Sequence, residues 1–287
     1  MTLTLASMSS VEGMKIGIST FATDETLRPD ALARAVEERG FESLFLAEHS
    51  HMPKGSTGPD GAELGRAYYR SLDPFLALTA AASSTERLLL GTGVALLVQR
   101  DVIHTAKEVA TLDLLSGGRV LFTVGAGWNR AEMRNHGVDP GSRGRRLDEQ
   151  LAALKLIWTR DEASFRGAHV EFGPIHMWPK PVQSPHPPIY IGGHSAAARR
   201  RVVEYGDGWF PITVTPDDVR GMRATLAAHG RTGVVINVPA DEDDLDLVHE
   251  FAEAGADRAT FHLTTVGDAA TLRKLDELAA VRERLTR

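Results

Sequence analysis

Eight times along this chain a short apolar run gives way to a stretch with helical spacing, and that alternation restricts the fold more than any other feature. The apolar runs at 15–20, 43–47, 88–95, 120–124, 189–191, 208–212, 234–238 and 259–263 predict strands. The stretches at 29–39, 74–82, 104–115, 131 onward, 145–158, 196–204, 217–228, 245–254 and 269–284 predict helices. Near-continuous apolar strands with helices between them form a parallel sheet covered on its outer face. Eight such units in 287 residues predict an α/β fold, a closed (β/α)8 TIM barrel, with insertion segments at its C-terminal mouth. A dinucleotide-binding open sheet would need a G-x-G-x-x-G turn after the first strand, whereas Phe21-Ala22-Thr23-Asp24-Glu25-Thr26 contains no glycine. Residues 1–13 show no periodicity and are expected to be a flexible extension to a single barrel domain at 14–287.

Composition removes several function classes. With no cysteine, the chain has no disulfide framework, thiolate nucleophile or Cys-ligated metal. A net charge of -6 with scattered basic residues lacks the footprint of a nucleic-acid or acidic-membrane partner. No run approaches the roughly 20 apolar residues of a membrane span, and the first ten residues lack the pattern of a secretion signal. The expectation is a soluble cytoplasmic protein acting on a small molecule.

A barrel of this kind carries its chemistry at the C-terminal ends of its strands. The second strand ends in Glu48-His49-Ser50-His51, which supplies a carboxylate and two imidazoles able to act as general acid or base. Satisfying loop backbone is the competing use for either histidine. The third strand contains Gly91-Thr92-Gly93-Val94, and the fourth ends Gly125-Ala126-Gly127-Trp128. Glycine weakens a strand, and two neighbouring strands stripped of side chains predict room for a flat ligand. The fifth ends Gly192-Gly193-His194-Ser195 and runs straight into a helix, a pattern suited to phosphate at a helix N-terminus. Between Glu48 and Leu72 lies a connection of about 25 residues with Tyr68 and Tyr69, long enough to be a lid. Residues 163–188, with six prolines from Pro174 onward, predict a small hairpin and an extended excursion around Met177.

From Met14 to Leu278 the chain resembles the luciferase-like monooxygenase superfamily, in particular its deazaflavin-dependent oxidoreductases. The resemblance rests on a colinear series: 107–119 (KEVATLDLLSGGR), Gly125-Ala126-Gly127-Trp128 with Glu132 downstream, 143–149 (RGRRLDE), 187–193 (PPIYIGG), and Asp207-Gly208-Trp209. It implies coenzyme F420 across the barrel mouth, with FMN as the alternative cofactor, and a homodimer. By the same resemblance Glu48 and His49 match an acidic residue and a histidine beside the ring. Gly93-Val94 match a pair joined by a non-proline cis peptide, and Gly192, Gly193, His194 and Ser195 match the phosphate loop. The superfamily's sugar-phosphate dehydrogenases carry a proton-donating glutamate just after the strand-four glycines, where this chain has Trp128.

The expected activity is hydride transfer between F420 and a small organic substrate, apolar or aromatic in character. His49 and Glu48 are the expected catalytic groups. His49, Thr92, Gly93, Val94, Gly125, Gly127 and the phosphate loop are expected to hold the cofactor, and His51, Tyr68, Trp128 and Met177 the substrate. An FMN-dependent monooxygenase on the same fold is the alternative. A metal-dependent hydrolase using His49, His51, His194 and His262 is the reading from another class, although its usual ligand positions on the first and eighth strands differ from those here. No metal is assigned.

Overall fold

The computed structural model describes residue 11, residues 13–264 and residues 267–286. Eight staves close a parallel barrel. In chain order they are β1 (Lys15–Thr20), β2 (Ser43–Leu46), a third stave split into β3 (Leu89–Thr92) and β4 (Ala95–Leu96), and then β5 (Val120–Gly125). After the antiparallel hairpin β6 (Ala163–Arg166) and β7 (Glu171–Ile175) come β8 (Ile189–Gly192), β9 (Gly208–Phe210), β10 (Val235–Ala240) and β11 (Arg258–His262). Neighbours pair in the order β3-β2-β1-β11-β10-β9-β8-β5-β4, and the β3–β5 pairing joins the two ends of that list. Closure leaves the barrel without a free edge.

The third stave is split because the chain leaves strand geometry between Thr92 and Ala95, where the Gly93–Val94 peptide is cis, as the resemblance implied. Alternate residues of each strand point inward. Phe45, Leu121, Tyr190 and Phe210 fill the barrel interior with Val94 and Val235. Beneath them Arg258 is nearly buried, donating to both oxygens of Glu42 at 2.7 Å and to the Tyr190 hydroxyl at 3.1 Å. The outward residues, such as Ile16, Ile18 and Leu44, join the larger core beneath the helices.

The helices are α1 (Pro29–Glu38), the short α2 (Ala67–Arg70), α3 (Pro74–Ala82), α4 (Val102–Ser116), α5 (Arg130–Asn135), α6 (Arg143–Thr159), α7 (Ala196–Tyr205), α8 (Pro216–Ala228), α9 (Leu245–Glu253) and α10 (Asp268–Leu285). Side-chain caps fix many of their starts: Asp73, Asp101, Asn129, Ser195, Thr215 and Asp244 each accept a first-turn N–H. All six precede a helix on the strand-to-helix side, so they also pin the loops that build the mouth.

Of the expected N-terminal extension, residues 1–10 and 12 lie outside the described residues. Val11 is packed: it is buried, and its N–H reaches the Leu285 carbonyl at 3.3 Å. No helix among the described residues is long and apolar enough to cross a membrane.

Candidate active site

A cavity of 740 Å³ opens at the C-terminal ends of the staves. His49 lines it from just beyond β2. Its Nδ1 lies 2.8 Å from Glu132 Oε2, on α5. Glu132 is wholly buried, and its other oxygen accepts from the Ser50 N–H at 3.1 Å. Burial works to raise the Glu132 pKa, but the hydrogen bond and charge of His49 outweigh it and hold the carboxyl below its ordinary range. An ionised carboxylate only accepts, so Nδ1 carries the hydrogen and Nε2 is left to take or give a proton. Around the imidazole stand Phe21 (6.5 Å, stacked), Tyr68 (5.5 Å) and Trp128 (5.6 Å, edge-on), ring centre to ring centre. Tyr68 arrives on α2, within the long connection, and Phe21 follows directly on β1.

The glycines have a different immediate use from the one the sequence suggested. A Cβ on Gly91 would lie 2.2 Å from the Phe45 ring. A Cβ on Gly125 or on Gly192 would lie 2.8 or 2.7 Å from a Val94 methyl. Real Cβ atoms do not approach that closely, so these glycines first make room for the protein's own Phe45 and Val94. The space that remains is bounded by Val94, which stands between Gly125 and Gly192 and lines the cavity.

Five sequence-derived assignments change once side chains are in place. Glu48 does not line the cavity: Oε2 accepts from the Leu96 N–H at 2.6 Å, and Oε1 binds Arg100, 2.7 Å from Nε. Arg100 also pairs with Asp73 at 2.8 Å and Glu108 at 2.9 Å, and lies 4.6 Å over the Phe75 ring. Burial opposes the Arg100 charge, but the attraction of Glu48 and its fellow carboxylates raises its pKa. Glu48 therefore anchors the chain after β4. Met177 is 4% exposed within the outer core, and Thr92 is buried outside the cavity lining and gives its hydroxyl to the Thr123 carbonyl at 2.6 Å. His51 is held outside the cavity lining between Ser50 Oγ at 2.9 Å and Asn135 at 2.8 Å. His194 is exposed and likewise outside it. His49 and His262 do line the cavity, but among the described residues no three His, Asp or Glu groups could together hold a metal ion.

The other end of the cavity is built from backbone and cations. Gly193 adopts φ +98°, a left-handed conformation, and its N–H donates to the Phe210 carbonyl at 3.0 Å. Ser195 caps α7 by accepting from the Ala198 N–H at 3.2 Å. Ala197, Ala198 and Arg201 of α7, with Arg143 and Gly144 of α6, complete this end. Arg201 is occupied by Asp148 at 2.5 Å and by the Gly144 carbonyl at 3.0 Å, whereas Arg143 spends one nitrogen on the Pro140 carbonyl at 2.7 Å. Two helix N-termini and a guanidinium thus converge on one spot, which favours an anion. Helix α6 begins at Arg143, two residues before the predicted start, and those two residues bring it to the cavity.

Sequence reasoning missed Glu132 as the partner of His49, and Phe21, Arg143 and Gly144 as lining residues. The signals available for Glu132 were its place in the family pattern and its position on a short helix directly after a glycine-rich strand end.

The Luciferase-like monooxygenase profile matches residues 16–283. This chain belongs to that family. An uncharacterized protein of Mycobacterium tuberculosis is 38% identical over 282 residues, 95% of this chain and 97% of that protein. An FMNH2-dependent dimethylsulfone monooxygenase of Pseudomonas putida is 39% identical over 135 residues, 44% of this chain and 36% of that protein. An F420-dependent hydroxymycolic acid dehydrogenase of Mycobacterium tuberculosis is 26% identical over 223 residues, 76% of this chain and 58% of that protein. Among solved structures, the monooxygenase RslO1 of Streptomyces bottropensis superposes with a TM-score of 0.75 at 20% identity, covering 94% of this chain and 99% of that one. An F420-dependent secondary alcohol dehydrogenase in complex with an F420-acetone adduct superposes with a TM-score of 0.74 at 18% identity, covering 96% and 100%. At those identities the structures share the fold. The family is one of oxidoreductases acting on small molecules, and its members here include both F420-dependent and FMNH2-dependent relatives.

Proposed function

We propose that this chain moves a hydride between coenzyme F420 and a small, largely apolar organic substrate. The observation that carries the proposal is the His49–Glu132 pair, a buried and oriented proton carrier set in an aromatic wall within a cavity large enough for a tricyclic ring. The residues present fit such a cofactor. Val94 offers a firm apolar face on one side of the ring space, and the α7 N-terminus at Ser195 and Ala197, together with Arg143, offers amides and a cation for a phosphate. When bound, the deazaflavin would supply or accept the hydride.

The chain's own contribution is position and proton. When a carbonyl is reduced, its carbon gains the hydride and its oxygen takes the proton from His49 Nε2. In the reverse direction Nε2 takes the hydroxyl proton while the carbon loses hydride. Glu132 balances the imidazolium whenever both nitrogens are protonated and keeps the ring from turning. Trp128 has no acidic proton, and in this reading the work falls to His49. The ring wall of Phe21, Tyr68 and Trp128 excludes water from the reacting atoms and favours an apolar substrate body.

A second reading, reduced FMN with oxygen in a monooxygenase, is favoured by the 39% identity of one stretch to an FMNH2-dependent enzyme. One experiment tests both. Purified protein is titrated in parallel with F420 and FMN, following ligand fluorescence, beside Ser195→Ala and Gly193→Val. Tight binding of F420 that both changes weaken is the expected result. Preference for FMN, with oxygen consumed when reduced FMN is added, transfers the conclusion to the monooxygenase, and binding of neither overturns both.

A further inference from the structure

The cavity wall facing Val94 is polar. Counted around the closed barrel, β10 and β11 stand four staves from β3/β4 and β5 respectively, directly across the axis. A flat ring braced on Val94 therefore turns its other face toward Ser19 of β1, Asn237 of β10, and Thr260 and His262 of β11, all of which line the cavity. Asn237 is 1% exposed and Thr260 4%. Such burial is costly for an amide unless its hydrogen-bonding groups are used.

Only half of the Asn237 amide is used. The Thr260 hydroxyl donates to Asn237 Oδ1 at 2.8 Å, and Nδ2 makes no hydrogen bond among the described residues. Nδ2 is a donor only, so it calls for an acceptor in the cavity. The charge of that acceptor follows from the surroundings. Arg258, below this wall, is already taken by Glu42 and Tyr190. The cavity's anion end, with Arg143, belongs to α6 and α7. Next to the polar wall the mouth continues into a side chamber of 420 Å³, sharing Ile212, Pro239, Ala240 and His262 with the main cavity. That chamber is apolar at Val214, Leu247 and Phe251 and carries Asp241 and Glu242. Glu242 is paired with Lys274, which leaves Asp241 as the carboxylate that disfavours an anion there.

We infer that Asn237, held by Thr260, is a specificity-determining group that takes a neutral oxygen of the substrate, such as a carbonyl, amide or hydroxyl, while the hydrocarbon part extends toward the side chamber. This assignment rests on the reading that a flat cofactor lies against Val94. It narrows the substrate class from apolar molecules in general to neutral oxygenated ones, and excludes carboxylates and phosphate esters from this wall.

The test uses two probes of one shape, cyclohexanone and methylenecyclohexane, of which only the first carries an acceptor. Binding is followed by NMR on protein with ¹⁵N-labelled asparagine, reading the Asn237 side-chain NH2 signals, alone and with saturating F420 or FMN. Cyclohexanone should shift those signals and methylenecyclohexane should not. Asn237→Leu should weaken cyclohexanone about tenfold and leave methylenecyclohexane within about twofold, the loss of one buried hydrogen bond. Asn237 signals that stay still at saturating cyclohexanone overturn the inference without recourse to any variant, and so does an equal loss of both probes in the variant. If neither cofactor binds while cyclohexanone still moves Asn237, the cofactor reading falls and this subsite stands. If a cofactor binds while Asn237 stays unmoved by cyclohexanone, the subsite falls and the cofactor reading stands.

Discussion

The two ends of the cavity are built on opposite plans. At the anion end the ligand-facing groups are largely consecutive: Gly192, Gly193, Ser195, Ala197 and Ala198 follow one another through a single strand-to-helix turn. At the proton end the groups are scattered along the chain. His49 follows β2, Glu132 lies 83 residues away on α5, Phe21 follows β1 and Tyr68 rides on α2. A backbone site tolerates the loss of one side chain, because its donors are N–H groups that substitution leaves in place. A site assembled from distant side chains depends on each of them, and the buried carboxylate at its centre most of all.

That contrast is broken most directly at Glu132. Glu132→Ala leaves the His49 Nδ1–H and the Ser50 N–H without an acceptor in a closed space, and should cost about 3 kcal/mol in urea unfolding. A loss below about 1 kcal/mol would show that the proton end is no more fragile than the other. Next in size are the glycines beside Val94. Gly125→Val or Gly192→Val forces a clash with its methyls and should cost about 2 kcal/mol. Combining either with Val94→Ala should recover much of that loss, and a double-mutant cycle with no coupling would remove Val94 as the cause. At the anion end Ser195→Ala should cost about 1 kcal/mol, the usual value of a helix cap, and weaken FMN or F420 binding several-fold. The smallest stability effect is expected for Arg143→Ala: unfolding within about 0.5 kcal/mol of wild type, with the cofactor phosphate bound more weakly.

The acid limb sharpens the same comparison. The folded pKa of Glu132 lies below its ordinary value, so its contribution is fully present above the unfolded pKa and is lost as pH falls through the folded one. Stability measured from pH 6 down to pH 3 should therefore decline more steeply in wild type than in Glu132→Gln, whereas Ser195→Ala should follow the wild-type slope.

The same division explains what the sequence could disclose. The barrel was legible because its signal is repeated eight times and each repeat is local: an apolar run, a glycine or cap, and a helical period. The turn at residues 192–195 was legible as a glycine turn with a helix cap for the same reason, since it carries its geometry in its own order, although His194 falls outside the cavity lining. Glu48 and Met177 were misplaced because their roles are set by partners far along the chain. Arg100, 52 residues on, claims Glu48, and the folding of the 163–188 excursion against the outer core buries Met177. Glu132 was read only as part of the family pattern and not as the partner of His49, because nothing adjacent to it shows that His49 lies within hydrogen-bond reach. The strand glycines were correctly singled out for close approach, but what approaches them is Phe45 and Val94.

Val94, seated between Gly125 and Gly192, makes the breadth of the barrel mouth a property of three positions taken together. A laboratory library that varies any one of them alone samples mostly clashes or voids, and would record each as intolerant to change. Randomised as a triplet, with bulk moved from position 94 to 125 or 192, the same three sites would, under the proposed function, become a means of shifting where a cofactor ring rests, and so of setting its distance from His49 without altering the imidazole or its carboxylate.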